Sequence, residues 1–269
     1  MTARNILLHL DDEDALTLFA PAVLQLAREL QVEELTAVAA AAVHMARAGP
    51  AFALPLLEER ERDALDRLEI IQRRLHDAAK GFRLDWRSAP VADPTGFLLD
   101  QAARSDLIVT RRGAPGAPAF GSIDLGRLVL GAGRPVLVAP RATGALRFDR
   151  VLIGFKATRE ARVALSAAIP LLCDARRVLV VAMGETTTAP QLQDAASFLG
   201  SHGIFAETRM LTDVDDPAAA GALLDLAETE GADLLVCGGY GRSRARELVF
   251  GGVTRDLLAQ APLPCLFAH

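Results

Sequence analysis

Three short segments of this 269-residue chain recur in the same order, and this repetition is the strongest constraint on its fold. The paired segments are residues 5–8 (NILL) and 150–153 (RVLI), 105–109 (SDLIV) and 232–236 (ADLLV), and 134–139 (RPVLVA) and 263–268 (LPCLFA). Self-similarity of this kind indicates a tandem duplication of one structural unit. We therefore expect two domains, at residues 1–140 and 150–269, joined by a polar, small-residue-rich linker at 141–149.

Within each copy, short apolar runs alternate with longer segments of helical periodicity. The predicted strands of the second copy are residues 151–155, 177–182, 205–210, 233–238 and 264–268. The predicted helices are residues 160–172, 190–202, 217–230 and 245–259, with 56–79 as a long charged helix in the first copy. Fully apolar strands separated by helices are typical of a parallel sheet covered on both faces. The expected fold class is α/β, with two tandem doubly wound, Rossmann-like domains, each a five-stranded parallel sheet of order 3-2-1-4-5.

Composition and charge exclude several classes of protein. The chain is 51% apolar with a net charge of −5, which rules out a disordered chain and any overall attraction to nucleic acid or anionic lipid. No apolar run approaches the ~20 residues of a membrane span, and the N-terminus does not resemble a signal peptide. We expect a cytoplasmic protein without a nucleic-acid or membrane partner. The histidines lack metal-binding spacing, so no metal site is expected, and Cys173, Cys237 and Cys265 are expected to be buried and reduced.

A glycine-rich segment follows the fourth predicted strand of the second copy. Gly238 and Gly241 are followed, after nine residues, by Gly251 and Gly252. Glycine allows backbone N–H groups to approach a phosphate chain, and the N-terminus of a helix attracts anions. Ligands of doubly wound sheets bind beyond the carboxyl ends of the strands, where this segment lies. The pattern is neither a Walker A loop nor the dinucleotide fingerprint, and it predicts a phosphate-binding loop of another kind.

On these residues the chain resembles the universal stress protein family, in its tandem two-domain bacterial form. The family's ATP-binding signature is G-x-x-G, nine residues, then Gly followed by Ser or Thr, which Gly238, Gly241 and Gly251 match. Gly252 departs from it and removes a hydroxyl donor, for which Thr254 would partly substitute. The resemblance covers both halves and implies binding of ATP or a related adenine nucleotide by the C-terminal domain, with a regulatory role in the stress response. It also implies a pseudo-dimer within the chain, packed through the fifth strands, and leaves a homodimer open.

The implied nucleotide site draws on three segments of the second copy. Lys156 ends the first strand where the family carries Asp, and Met183 lies where family members hold adenine by backbone contacts. The candidate nucleotide-binding residues are Gly238, Gly241, Arg242, Gly251, Gly252, Val253, Thr254, Lys156 and Met183. Lys156 either reaches a phosphate or points into solvent at a site that has lost its nucleotide. Met183 either flanks adenine or packs in the core, and Arg242 either supplies charge to the phosphates or belongs to a solvated face.

The first copy shows the opposite pattern. It keeps Asp11 but has Arg111 in place of the first glycine, and Pro115 and Pro118 remove N–H donors from the loop. Arg111 would fill the space that a phosphate needs, or Arg111 and Arg112 would themselves bind an anion. We expect a structural domain with a degenerate nucleotide loop.

No motif places a nucleophile beside a base, so a binding protein is expected rather than an enzyme, with slow hydrolysis of bound ATP left open. The alternative is an interaction or scaffold protein of the same fold that binds no nucleotide because both sites are degenerate. The departures at Lys156 and Gly252 and the altered first-copy loop favour that alternative.

Overall fold

The computed structural model describes residues 4–43, 50–113, 120–184, 187–212, 214, 218–240 and 252–269, and for residues 50–56 it describes the backbone alone. The strands are β1 (Asn5–His9), β2 (Glu34–Ala42), β3 (Arg83–Val91), β4 (Leu107–Arg111), β5 (Val136–Ala139), β6 (Arg150–Gly154), β7 (Arg177–Met183), β8 (Ala206–Leu211), β9 (Leu234–Gly238) and β10 (Cys265–Ala268). The helices are α1 (Phe19–Glu29), α2 (Pro50–Ala78), α3 (Pro94–Gln101), α4 (Leu125–Gly131), α5 (Arg159–Leu172), α6 (Ala189–Gly200), α7 (Ala219–Glu230) and α8 (Gly252–Gln260).

All ten strands form one sheet, in the order β3-β2-β1-β4-β5-β10-β9-β6-β7-β8. Each half is parallel with the order 3-2-1-4-5, which confirms the expected fold class. The halves meet where β5 pairs antiparallel with β10, so the fifth strands join them as the family resemblance implied. Because of this antiparallel pairing, the edge where the strands of the second half end is the edge where those of the first half begin.

The core lies on both faces of the sheet because successive strand residues point to opposite sides. Ile6 and Leu8 of β1 face one apolar cluster, and Leu7 faces the other. All three side chains are fully buried. This two-sided burial is the reason that the strands read as continuous apolar runs in the sequence.

Several sequence-based boundaries shift in the structure. The long helix α2 begins at Pro50 rather than residue 56, and β8 begins after Phe205, whose side chain is 93% exposed. In the second copy, the last helix begins at Gly252 within the described residues. The expectation that all three cysteines are buried is wrong for Cys173, which is exposed at the C-terminal end of α5, where its thiol donates to the carbonyl of Ile169 at 3.3 Å. The apolar residues before Cys173 lie on the buried face of α5, whereas Cys173, the first residue after the helix, faces solvent.

The segment between β5 and β6 packs against the first half instead of extending into solvent. Leu146 and Phe148 are buried in the same apolar cluster as α1. Arg141 forms an ion pair with Asp12. In the described part of the chain, no helix is both long and apolar enough to cross a membrane.

Candidate functional site

Each half brings the ends of its first and fourth strands together at the carboxyl edge of its sheet, since β1 pairs with β4 and β6 pairs with β9. Asp11 and Lys156 each stand two residues beyond the first strand of their half. Arg111 and Gly238 are the last residues of the corresponding fourth strands. The two halves therefore have different chemistry at the same position in the fold.

A buried ion-pair cluster occupies this position in the first half. Arg111 donates through Nε to Asp11 Oδ1 at 2.6 Å and through Nη2 to Asp12 Oδ1. The side chains of Arg111 and Asp11 are only 3% and 9% exposed. Arg141 donates to Asp12 at 2.8 Å and lies 3.6 Å from Asp11. The Arg111 guanidinium thus fills the space at the strand ends, as the sequence indicated, and it does so by pairing with Asp11.

Arg112 points in another direction, toward the second half. Its Nε donates to the carbonyl of Leu258 at 2.8 Å and its Nη2 to the carbonyl of Ala261 at 2.6 Å, at the C-terminal end of α8. Both arginines therefore use their donors on acceptors within the protein. The alternative in which Arg111 and Arg112 bind an anion is not supported by this geometry. The loop residues Pro115 and Pro118 lie outside the described residues.

Burial controls the protonation of the groups around Arg111. Burial raises the pKa of Asp11, and the Arg111 guanidinium acts in the opposite direction. For Asp12, burial is outweighed by hydrogen bonds and by the charges of both arginines, so its pKa is lowered. His9 is 1% exposed, and burial together with the charge of Arg111 lowers its pKa to about 4. His9 is therefore neutral at neutral pH.

The ring of His9 lies 2.9 Å through Nδ1 from the hydroxyl of Thr110, and its Nε2 has no hydrogen-bond partner among the described residues. Sequence reasoning missed this His9–Thr110 contact and the pairing of Asp11 with Arg111. The repeat itself carried a signal for the pair, because it aligns Asp11 with Lys156 and Arg111 with Gly238 at adjacent strand ends.

In the second half, close packing of the chain requires glycine at the end of β9. A Cβ on Gly238 would lie 2.7 Å from the backbone nitrogen of Ala161 in α5. A Cβ on Gly239 would lie 2.6 Å from Cγ1 of Val129 in α4. These two glycines are therefore required by the fold itself, whether or not a phosphate binds nearby.

The chain then turns at Tyr240, which has a left-handed backbone with φ of 48° and is 4% exposed. Its backbone N–H donates to the hydroxyl oxygen of Thr254 at 3.2 Å. Thr254 is itself buried, which favours a role in holding this turn over the phosphate contact considered from the sequence. A Cβ on Gly126 would lie 2.6 Å from Tyr240 Oη, so the turn reaches α4 of the first half.

The other candidate residues surround the same strand ends. Lys156 is exposed in the loop between β6 and α5, and Met183 ends β7, partly buried against the apolar core. Gly252 is exposed at the start of α8, where the nearest atom to a Cβ would be Asp256 Oδ2 at 3.9 Å, and Val253 is partly buried beside it. Three candidates lie outside the described residues, namely Gly241, Arg242 and Gly251.

A carboxylate that sequence reasoning did not consider also stands here. The main chain of Glu160, at the start of α5, would lie 2.9 Å from a Cβ on Gly238. Its Oε2 is buried without a hydrogen-bond partner among the described residues. Burial opposes ionisation, but hydrogen bonds from its own N–H and from Thr158 outweigh it and lower the pKa of Glu160. Across the described residues, no group of three or more His, Cys, Asp or Glu could hold a metal ion.

Comparison with known proteins agrees with this fold. The model of the universal stress protein family matches residues 147–269. The universal stress protein Slr1230 of Synechocystis sp. is 29% identical over 192 residues, which cover 66% of this chain and 64% of that protein. The match thus spans less than two thirds of the length of that relative.

Solved structures of low sequence identity share the fold over the whole chain. A universal stress protein from Archaeoglobus fulgidus DSM 4304 superposes with a TM-score of 0.73 at 18% identity, covering 100% of this chain and 99% of that one. A functionally unknown protein from Pseudomonas aeruginosa PAO1 superposes with a TM-score of 0.62 at 18% identity, covering 99% and 92%. Residues 147–269 therefore carry the domain of the universal stress protein family, and the preceding residues repeat the same fold.

Proposed function

We propose that the C-terminal half binds ATP or a related adenine nucleotide, and that the protein is a regulatory stress-response protein rather than an enzyme. One observation carries this proposal. In the first half, a buried ion pair between Asp11 and Arg111 fills the space at the ends of the first and fourth strands. In the second half, the equivalent space is bordered by Gly238 and the exposed cation Lys156. A glycine and a cation at adjacent strand ends suit an anionic ligand, whereas the ion pair leaves it no room.

The charges around β9 suggest how the nucleotide would lie. Lys156 and the N-terminus of α8 attract phosphate, while the ionised carboxylate of Glu160 repels it. We therefore expect the phosphates to lie toward Lys156 and Gly252, away from α5. Met183 at the end of β7 would border the adenine. The proposal includes a cytoplasmic location and no nucleic-acid partner, and it treats association of two chains as an open extension.

Restoring the missing hydroxyl at position 252 tests the proposal directly. Among the described residues, no atom would lie closer than 3.9 Å to a Cβ on Gly252, so Gly252→Ser places a hydroxyl at the start of α8 without displacing any of them. A hydrogen bond to a charged group contributes about 1.5 kcal/mol, so calorimetric titration should show ATP binding about tenfold tighter than in the unmodified protein. Gly252→Ala is the matched control and should leave the affinity within about twofold.

Lys156→Ala should weaken ATP binding and reduce its dependence on salt concentration, because it removes the exposed cation. Absence of saturable ATP binding at millimolar ligand, in both the folded unmodified protein and Gly252→Ser, would contradict the proposal. That result would favour the alternative, a scaffold protein in which both nucleotide sites are degenerate.

A further inference from the structure

A pocket of about 490 Å³ lies where the two halves meet. The first half contributes Leu30, Asp106, Leu107 and the turn before β5, and the second half contributes one face of α5. The antiparallel pairing of β5 with β10 creates this arrangement, because α5 starts at the edge of the sheet where β4 and β5 begin. Both walls exist only in the joined chain. Its volume is within the ~300–1,000 Å³ range of small-molecule sites.

Helix α5 lines the pocket with a single stripe of residues. The stripe consists of Arg159, Arg162, Val163, Ser166, Ala167, Pro170 and Leu171. Spacings of three and four residues place these side chains on one face of the helix. The stripe changes from cationic at the N-terminal end to apolar at the C-terminal end, over about 18 Å at 1.5 Å per residue.

The charges in the pocket are unbalanced toward positive. The lining includes three arginines, Arg134, Arg159 and Arg162, and one carboxylate, Asp106. Asp106 already accepts from the backbone N–H groups of Arg4 and Asn5 at 2.8 and 3.2 Å.

The pocket arginines have donors to spare. Arg134 donates to the neutral carbonyl of Ala103 at 3.3 Å. Among the described residues, neither Arg159 nor Arg162 has an acidic side chain within ion-pair distance, and Arg159 acts on the carboxylate of Glu160 only through its charge, which helps to lower the pKa of Glu160. Three guanidinium groups thus line this partly apolar cleft, and such groups bind carboxylates, sulfonates and phosphates through paired hydrogen bonds.

We propose that this pocket is a second ligand site, which binds a small organic anion with an apolar body. The anionic group lies against Arg159 and Arg162, and the apolar body lies along Val163 and Leu171. Val163 is 37% exposed, so a ligand here would cover apolar surface that now faces solvent. None of the residues that line this pocket is among the candidate nucleotide-binding residues at the strand ends.

Anilinonaphthalene sulfonate is a suitable probe, because it combines an apolar ring system with one anionic group and fluoresces when bound. The full chain should bind it saturably at one site. Phenylnaphthylamine, which has the same rings without the sulfonate, should bind about tenfold more weakly, the loss expected for one charge-assisted contact. Arg162→Ser should reduce this difference between the two probes.

Val163→Asp should weaken binding of both probes at least tenfold, whereas Phe205→Asp, at an exposed apolar residue that does not line the pocket, should leave it unchanged. Val163 and Phe205 are both exposed, so thermal denaturation should show both variants folded. Three results would overturn the proposal: no saturable binding of the sulfonate, equal binding of the two probes by the unmodified protein, or equal weakening by Val163→Asp and Phe205→Asp.

Discussion

Replacing Arg111 by methionine tests whether the buried ion pair holds the first half together. Methionine has a similar length but no charge, so the variant removes the buried guanidinium that donates to both Asp11 and Asp12. Breaking a buried ion pair from one side costs ~3–5 kcal/mol, because the remaining charge is left uncompensated. Arg141 still contacts Asp12 and lies 3.6 Å from Asp11, so we expect a loss near the lower limit, ~3 kcal/mol in the free energy of unfolding.

Urea denaturation followed by circular dichroism at neutral pH measures this loss. The difference from the unmodified protein should narrow as the pH falls, because burial raises the pKa of Asp11 and its protonation removes the unpaired charge. Adding Asp11→Asn to Arg111→Met should recover part of the lost stability at neutral pH for the same reason.

The matched control is Arg73→Met, in an ion pair of nearly the same length but different burial. Arg73 and Glu69 are 2.7 Å apart, with side chains 70% and 66% exposed. An exposed pair of this kind contributes about 0.5 kcal/mol or less. Two results would refute this explanation: an equal loss of unfolding free energy in both variants, or a loss below ~1 kcal/mol in Arg111→Met. Either result would show that burial does not make the Arg111 ion pair important.

Three further predictions concern positions where the two halves or their strand ends are packed. The pKa of His9 is lowered to about 4, so below pH ~6.5 the unfolded chain takes up a proton at His9 that the folded chain does not. The free energy of unfolding therefore falls as the pH drops from ~6.5 toward 4, and His9→Asn should reduce this loss by ~3 kcal/mol in pH-dependent urea denaturation. Gly238→Ala should lower stability by ~1–3 kcal/mol in thermal denaturation, because its Cβ would press on the backbone of Ala161, whereas an equal effect of Gly252→Ala would contradict this packing argument. Arg112→Met should lower the free energy of unfolding by ~1–3 kcal/mol and speed hydrogen exchange at the C-terminal end of α8, and unchanged exchange there would refute its role between the halves.

The sequence predicted the fold well because the relevant signals are local. Leu7 and Leu8 face opposite sides of the sheet and both are buried, so β1 reads as a continuous apolar run that identifies a central parallel strand. The helical periodicity of the intervening segments then leaves few chain paths, since crossovers are right-handed. Cys173 shows the limit of this reasoning, because an apolar neighbourhood does not tell which way the residue after a helix points.

The candidate site was predicted only in outline. The glycine spacing predicted a site at the end of β9, and Arg111 in the first copy predicted that the equivalent space in the first half is filled. The packing reason for Gly238 was not predictable, because it depends on how closely α5 approaches β9, a distance set by the whole sheet. The contact of Thr254 was not predictable either, because its hydroxyl oxygen accepts from the backbone N–H of Tyr240, fourteen positions away.

By itself, the sequence determined the internal repeat, the α/β class and the strand order, because each repeated segment, apolar run and helical period can be recognised in a short stretch of the chain. The tertiary structure decided everything that depends on residues distant along the chain. Asp11 meets Arg111 only because β1 pairs with β4, and the arginine-lined pocket forms only because β5 pairs antiparallel with β10. Charge balance and cavities arise from surfaces that folding brings together, and no short stretch of sequence contains both sides of such a contact.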